Sequence, residues 1–199
     1  MLILIVEGFI LHPRWLIVVG IITGSLIIIG SSIFIGGYFN AVGEEDASAI
    51  QQAGQRAVVD KCLKNNEIKD TVSDWCELIV HTAYQHEMDP LLIAAVIETE
   101  SAGNADALSK SGAVGLMQVM PRDGIASQFQ CINGPCFANR PSMSKLYDPV
   151  YNVTFGSQYL SGLIEHNDGD LREALRNYGP RDMGYTYADM VLSLYQRYQ

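Results

Sequence analysis

Charge is missing from one long stretch of this chain: between Trp15 and Tyr38, WLIVVGIITGSLIIIGSSIFIGGY, there is no Asp, Glu, Lys or Arg. At about 1.5 Å per residue, a helix of that length crosses a hydrocarbon core of roughly 30 Å. A globular core helix this long would show a polar face, and this run has none. Basic residues are scarce too. No Lys or Arg follows the run until Arg56, and 13 Lys and Arg stand against 22 Asp and Glu, for a formal net charge of −9. With no basic patch, nucleic acid is excluded as a partner. The four histidines lie at no ligand spacing, and neither CINGPC nor the interval from Cys62 to Cys76 is a zinc pattern, so neither a metal nor another cofactor is expected. Extended β-alternation and internal repeats are absent as well. What remains is a mainly α fold class.

The apolar run reads as a single transmembrane helix over 15–38. A cleaved signal peptide would carry an apolar region of only about 7 to 15 residues, ending at a small-residue site. Here the run is longer, and Ala47-Ser48-Ala49 lies well beyond its end. Arg14 and His12 precede the span, so the positive-inside rule places residues 1–14 in the cytoplasm and everything after the anchor outside. Residues 39–57 are polar and small, a linker or weak helical stalk, and 58–199 form the extracytoplasmic domain.

All four cysteines, Cys62, Cys76, Cys131 and Cys136, fall in that domain, and an even count in an exported domain suggests disulfides. Three pairings are open. The local ones, 62–76 and 131–136, close short loops and are preferred over the crossed pairings and over free buried thiols. Apolar residues recur at helical spacing around 56–66, 73–87, 90–101, 149–166, 170–178 and 185–198. Asp89-Pro90 supplies an N-cap followed by proline at the first helical position, and Asp170 caps the segment from Leu171. Residues 122–145 hold glycines, prolines and two cysteines, as a long loop with short helical turns would.

The helix PLLIAAVIETES raises the chemical question. At about 100° per residue, Ile93, Val96, Ile97 and Glu100 share one stripe, whereas Glu98 points roughly the opposite way. Glu100 therefore sits at the end of the most apolar face. Partial burial and the negative end of the helix dipole both raise a carboxyl pKa there, as a general acid near neutral pH requires. Glu98 reads as a surface or locally paired acid. Beyond the helix, Ala102-Gly103 ends the element. GAVGLMQVMP then brings a glycine-rich backbone close, with Gln118 as an amide able to donate and accept.

These residues resemble the lytic transglycosylase family with the goose-type lysozyme fold, including the transglycosylases of conjugative secretion systems and phage particles. Glu100-Ser101 is similar to the family's Glu-Ser, with Asn104, Ala107 and Ser109 in place beyond it. Residues 112–121 match its GAxGLMQxMP, and LYDPVYNVTFGSQYLSGLI at 146–164 resembles its L-x-D-P-x-x-N-x-x-x-G-x-x-Y-L segment. ALRNYGP at 174–180 resembles the Ala-Leu-x-x-Tyr-Asn-x-Gly-Pro box, and DMVLSLYQRY the last helix. The box departs at one point: Tyr-Asn becomes Tyr178-Gly179, or Asn177-Tyr178 if the alignment slips by one. Loop 122–145 has no counterpart in the pattern; it could line the substrate groove or close over it.

The resemblance implies a lysozyme-like helical domain that cleaves the bond between N-acetylmuramic acid and N-acetylglucosamine in peptidoglycan, leaving 1,6-anhydro ends. It makes Glu100 the sole catalytic acid and base. Ser101 would orient Glu100 or the substrate, Met117 and Gln118 would contact the sugar, and Tyr178 would hydrogen-bond near the glutamate. Asn152, Gly156 and Tyr159 would stabilise a helix forming the groove's wall. The expected setting is a membrane-anchored enzyme opening the wall for a secretion, conjugation or phage assembly. Two alternatives stand: a lysozyme-type hydrolase, with Asp106 or Asp123 as second acid, and a non-catalytic wall-binding component.

Overall fold

The computed structural model describes residues 48–199. The expected N-terminus, 1–14, and the expected anchor, 15–38, lie outside the described residues. Among the described residues, no helix is long and apolar enough to cross a membrane. The chain divides into two units at Ala53 and Gly54, and the account below concerns the second, Gly54–Gln199.

Helices dominate, as expected. The backbone is helical over 48–63 (α1), which takes in the latter part of 39–57, expected as a linker or weak helical stalk. There follow α2 (Asp70–Ser73), α3 (Cys76–Gln85), α4 (Pro90–Ser101), a 3-10 turn (Gly124–Gln128) and strands β1 (Gln130–Cys131) and β2 (Gly134–Pro135). The chain then continues through α5 (Met143–Leu146), α6 (Pro149–His166), α7 (Leu171–Tyr178) and α8 (Tyr185–Tyr198). One segment departs from expectation: 73–87 is two helices, because Trp75 leaves helical geometry at φ −99°, ψ 5°. The two strands pair antiparallel inside the long loop. Both local disulfides are formed: Cys62–Cys76 ties the end of α1 to the start of α3, and Cys131–Cys136 closes the hairpin.

The aspartate-proline starts behave as their chemistry dictates. Asp89 accepts from the Leu91 N–H at 2.8 Å, Asp148 from Tyr151 at 3.0 Å, and Asp170 from Arg172 and Glu173. Each satisfies amides that have no partner within their own helix. α4 is the element around which the rest is arranged. Leu92 through Ile97 are buried without interruption, because α2, α3 and α8 all pack on it. From Leu92 to Ile97 it therefore has no solvated face.

Candidate active site

Where α4 ends determines where Glu100 points. Ala102 takes the left-handed conformation at φ 51°, and its carbonyl accepts from Thr71 Oγ1 at 2.7 Å. The Gly103 carbonyl accepts from Trp75 Nε1 at 3.0 Å. The last turn is thus tied to α2 and to the entry of α3 by two side-chain donors. Glu100, half-buried there, accepts a hydrogen bond at Oε1 from the Tyr187 hydroxyl of α8 at 2.6 Å. Burial pushes its carboxyl up from 4.5 to about 7, against the smaller opposing effect of the Tyr187 hydrogen bond, which favours the charged form.

Glu98 has a different environment. Its side chain is 7% exposed, forms an ion pair with Lys69 at 3.1 Å and accepts a hydrogen bond from Tyr198. Of the two expected readings, the paired acid is the one observed. The pairing clamps the C-terminus of α8 and the residue before α2 to the same helix.

The GLMQ segment is a tight turn pinned from three sides. Val114 and Val119 bridge antiparallel, with Gly115 at φ 79° and Gln118 at φ 45° turning the chain between them. Ser101 Oγ lies 2.9 Å from the Leu116 carbonyl and 3.2 Å from that of Ile97. Its single proton is therefore committed to main-chain carbonyls, with none left for Glu100. Asn152 on α6 is fully buried, and its side chain accepts from the Met117 N–H at 2.9 Å while donating to Val114 and Leu146 carbonyls at 2.8 Å each. This amide satisfies three backbone groups that water cannot reach. One turn on, Gly156 leaves room for Met117: a Cβ there would sit 2.6 Å from its sulfur.

Met117 accordingly differs from expectation. Its side chain is fully buried beneath α6, away from any position where a sugar could touch it. The backbone alternates, so Gln118 and Met120 are the half-exposed side chains of GLMQVMP. Gln118 spends its amide N–H groups on the Ala107 and Gly115 carbonyls, at 3.2 and 3.0 Å. What Met117 contributes is its carbonyl, which accepts from Tyr178 at 2.9 Å.

Tyr178 thus holds the turn, and the phenol on Glu100 is Tyr187, which the sequence reading missed. A signal for it existed. Tyr187, Ala188, Val191 and Tyr198 form the buried stripe of α8, and a buried phenol needs a hydrogen-bond partner. Burial and the neighbouring Glu100 carboxylate raise the phenol pKa of both Tyr178 and Tyr187 well above the ordinary value, so both stay protonated donors. The rings of Tyr159, Tyr178 and Tyr187 form a row, with centroids 5.7 and 6.5 Å apart.

The departure at Gly179 gains a physical reason. A Cβ built there would lie 2.3 Å from Tyr187 Cδ1 and 2.4 Å from its Cγ. The backbone is ordinary extended chain, φ −74° and ψ −179°, so the glycine is required by the ring pressed against it and not by torsional strain. An asparagine in this place would displace the tyrosine that reaches Glu100.

Among the described residues, no group of three or more His, Cys, Asp or Glu is placed to hold a metal. The chemistry available is proton transfer by one carboxyl, half-buried at the end of a central helix and held by a neutral phenol. A helical domain so built frames a single proton-transferring carboxyl. The chain belongs to the transglycosylase SLT domain family, whose model matches residues 77–182. It is 39% identical over 101 residues to membrane-bound lytic murein transglycosylase E of Buchnera aphidicola, a stretch covering 51% of this chain and 44% of that one. It is 34% identical over 104 residues to the transglycosylase of Enterobacteria phage PRD1, covering 52% and 34%. Among solved structures, an inactive variant of lytic transglycosylase Slt from Pseudomonas aeruginosa matches with a TM-score of 0.47 at 24% identity, over 60% of this chain and 23% of that one. The matched stretch spans less than half the length of these relatives.

Proposed function

We propose that this protein is a peptidoglycan lytic transglycosylase with Glu100 as its sole acid and base. The observation that carries the reading is the half-buried carboxyl with its pKa pushed up to about 7 and a phenol on Oε1. Such a group is protonated often enough near neutrality to donate and ionised often enough to accept. In the first step, Glu100 gives its proton to the oxygen linking muramoyl C1 to the next N-acetylglucosamine, and the C1–O bond breaks. In the second, the muramoyl C6 hydroxyl bonds to C1 and returns its proton to Glu100. The ends become 1,6-anhydro, and no water is consumed.

The surroundings support one acid over two. Glu98 is occupied by Lys69 and Tyr198. Asp123 accepts from the Met143 N–H at 2.7 Å, and Asp106 is an exposed turn residue. Ordinary glycosidases pair two carboxyls across the bond. Gln118, half-exposed on the turn, is the amide placed to meet an acetamido group with its free oxygen, while Ser101, Met117 and Tyr178 act by fixing that turn. The domain is the lysozyme-like part, 58–199, carried outside the membrane on the anchor 15–38. The similarity to a membrane-bound murein transglycosylase and to a phage transglycosylase suits an enzyme that opens the wall locally for a secretion, conjugation or phage assembly.

The direct test is release of soluble fragments from purified peptidoglycan by the full-length protein. Glu100→Gln abolishes release, and Glu98→Gln retains most of it with a lower Tm from the lost ion pair. Equal loss from both variants overturns the assignment of the acid.

A further inference from the structure

Loop 122–145 brings a cation to the tyrosine row. Arg140 follows the disulfide-closed hairpin, and its guanidinium lies 3.9 Å from the Tyr159 ring centroid and 5.6 Å from that of Phe155, both on α6. Tyr159 packs on Tyr178, Tyr178 on Tyr187, and Tyr187 bonds Glu100. The row thus has the acid at one end and a guanidinium at the other. Arg172 and Arg176 are neutralised by Asp189 and Glu173, whereas no carboxylate pairs with Arg140 among the described residues. Stacking occupies the face of a guanidinium and leaves its rim of N–H donors free. That rim matches a carboxylate in two parallel hydrogen bonds.

On the proposed function, the substrate supplies such a group. Each muramoyl residue carries a lactyl ether that ends either in its own carboxylate or in a stem peptide bearing carboxylates. We infer that Arg140 is a substrate-binding residue that takes a carboxylate borne on the lactyl branch of a muramoyl unit while the glycan lies along the Tyr159–Tyr178 edge toward Glu100. The loop thereby favours acidic strands, which an acidic protein would otherwise repel. The guanidinium lies over the Phe155 and Tyr159 rings of α6, with Tyr178 of α7 packed on Tyr159, and it forms no ion pair among the described residues.

Binding in full-length Glu100→Gln protein tests this without depending on turnover. Three strands are compared: peptide-bearing, amidase-stripped with the lactyl carboxylate free, and stripped with that carboxylate converted to a methylamide. Arg140→Met in the same background keeps an unbranched stem over Tyr159 but removes the donors. The expected result is a roughly tenfold weaker affinity for carboxylate-bearing strands and no change for methylamide strands. Loss confined to peptide-bearing strands names the stem as the source, and loss on stripped strands names the lactyl group. Equal loss on methylamide strands means that Arg140 only holds the loop and overturns the inference. So does equal affinity of both proteins for the acidic strands, or binding by neither. Failure of the wild-type protein to cleave strands that the Glu100→Gln protein binds would instead overturn the transglycosylase reading.

Discussion

Glu100 owes its proton affinity to a balance of two opposed effects, burial raising its pKa and the Tyr187 hydroxyl lowering it. The first step needs the protonated acid, so kcat/KM falls as pH rises through about 7. Tyr187→Phe removes the donor that favours the carboxylate. The folded-state pKa then rises further, and the alkaline limb of the profile moves to higher pH. The rate below that limb drops roughly tenfold as the carboxyl loses its orienting partner. A limb that stays in place, or moves to lower pH, contradicts the electrostatic account. At this scale periodicity placed Glu100 at the end of the Ile93–Val96–Ile97 stripe, and the structure half-buries its carboxyl there. The sequence was not readable for Tyr187. The resemblance drew attention to the phenol of the ALRNYGP box, and only the packing of α7 on α8 shows that Tyr178 turns to the Met117 carbonyl instead.

Among elements, caps were the most legible feature, since Asp-Pro and Asp-Leu starts settle their own amides within a few residues. The environment of α4 was not. A helix covered by α2, α3 and α8 can bury every residue from Leu92 to Ile97, so its pattern understates how far Glu98 is from water. The α7–α8 junction was legible only as a departure from the family box, and its reason is a contact between elements. Gly179→Ala tests that reason, because alanine accepts the extended backbone and adds only a Cβ. The clash falls on Tyr187 Cγ and Cδ1, at the root of the ring, which cannot swing aside without carrying the hydroxyl away from Glu100. Peptidoglycan cleavage is expected to fall on the order of a hundredfold while the helical circular dichroism is kept. Undiminished cleavage by the alanine variant contradicts the packing argument.

For the whole molecule, charge and chain order carry the account. Within the unit Gly54–Gln199, one carboxyl and one guanidinium without a carboxylate partner among the described residues lie at two ends of a tyrosine row. The mainly helical class was legible from periodicity, and the local disulfides, preferred among three open pairings, are the ones formed. The side on which Arg140 falls was not legible, because it depends on how a 3-10 turn, a two-residue hairpin and α5 fold back onto α6. The central claim is that a single carboxyl both starts and finishes the reaction without water. Mass spectrometry of the fragments released from purified peptidoglycan by the full-length protein tests it most directly. The account predicts muramoyl ends one water lighter than reducing ends, and absent from the Glu100→Gln digest. Reducing ends carrying that water would show a hydrolase and contradict the claim.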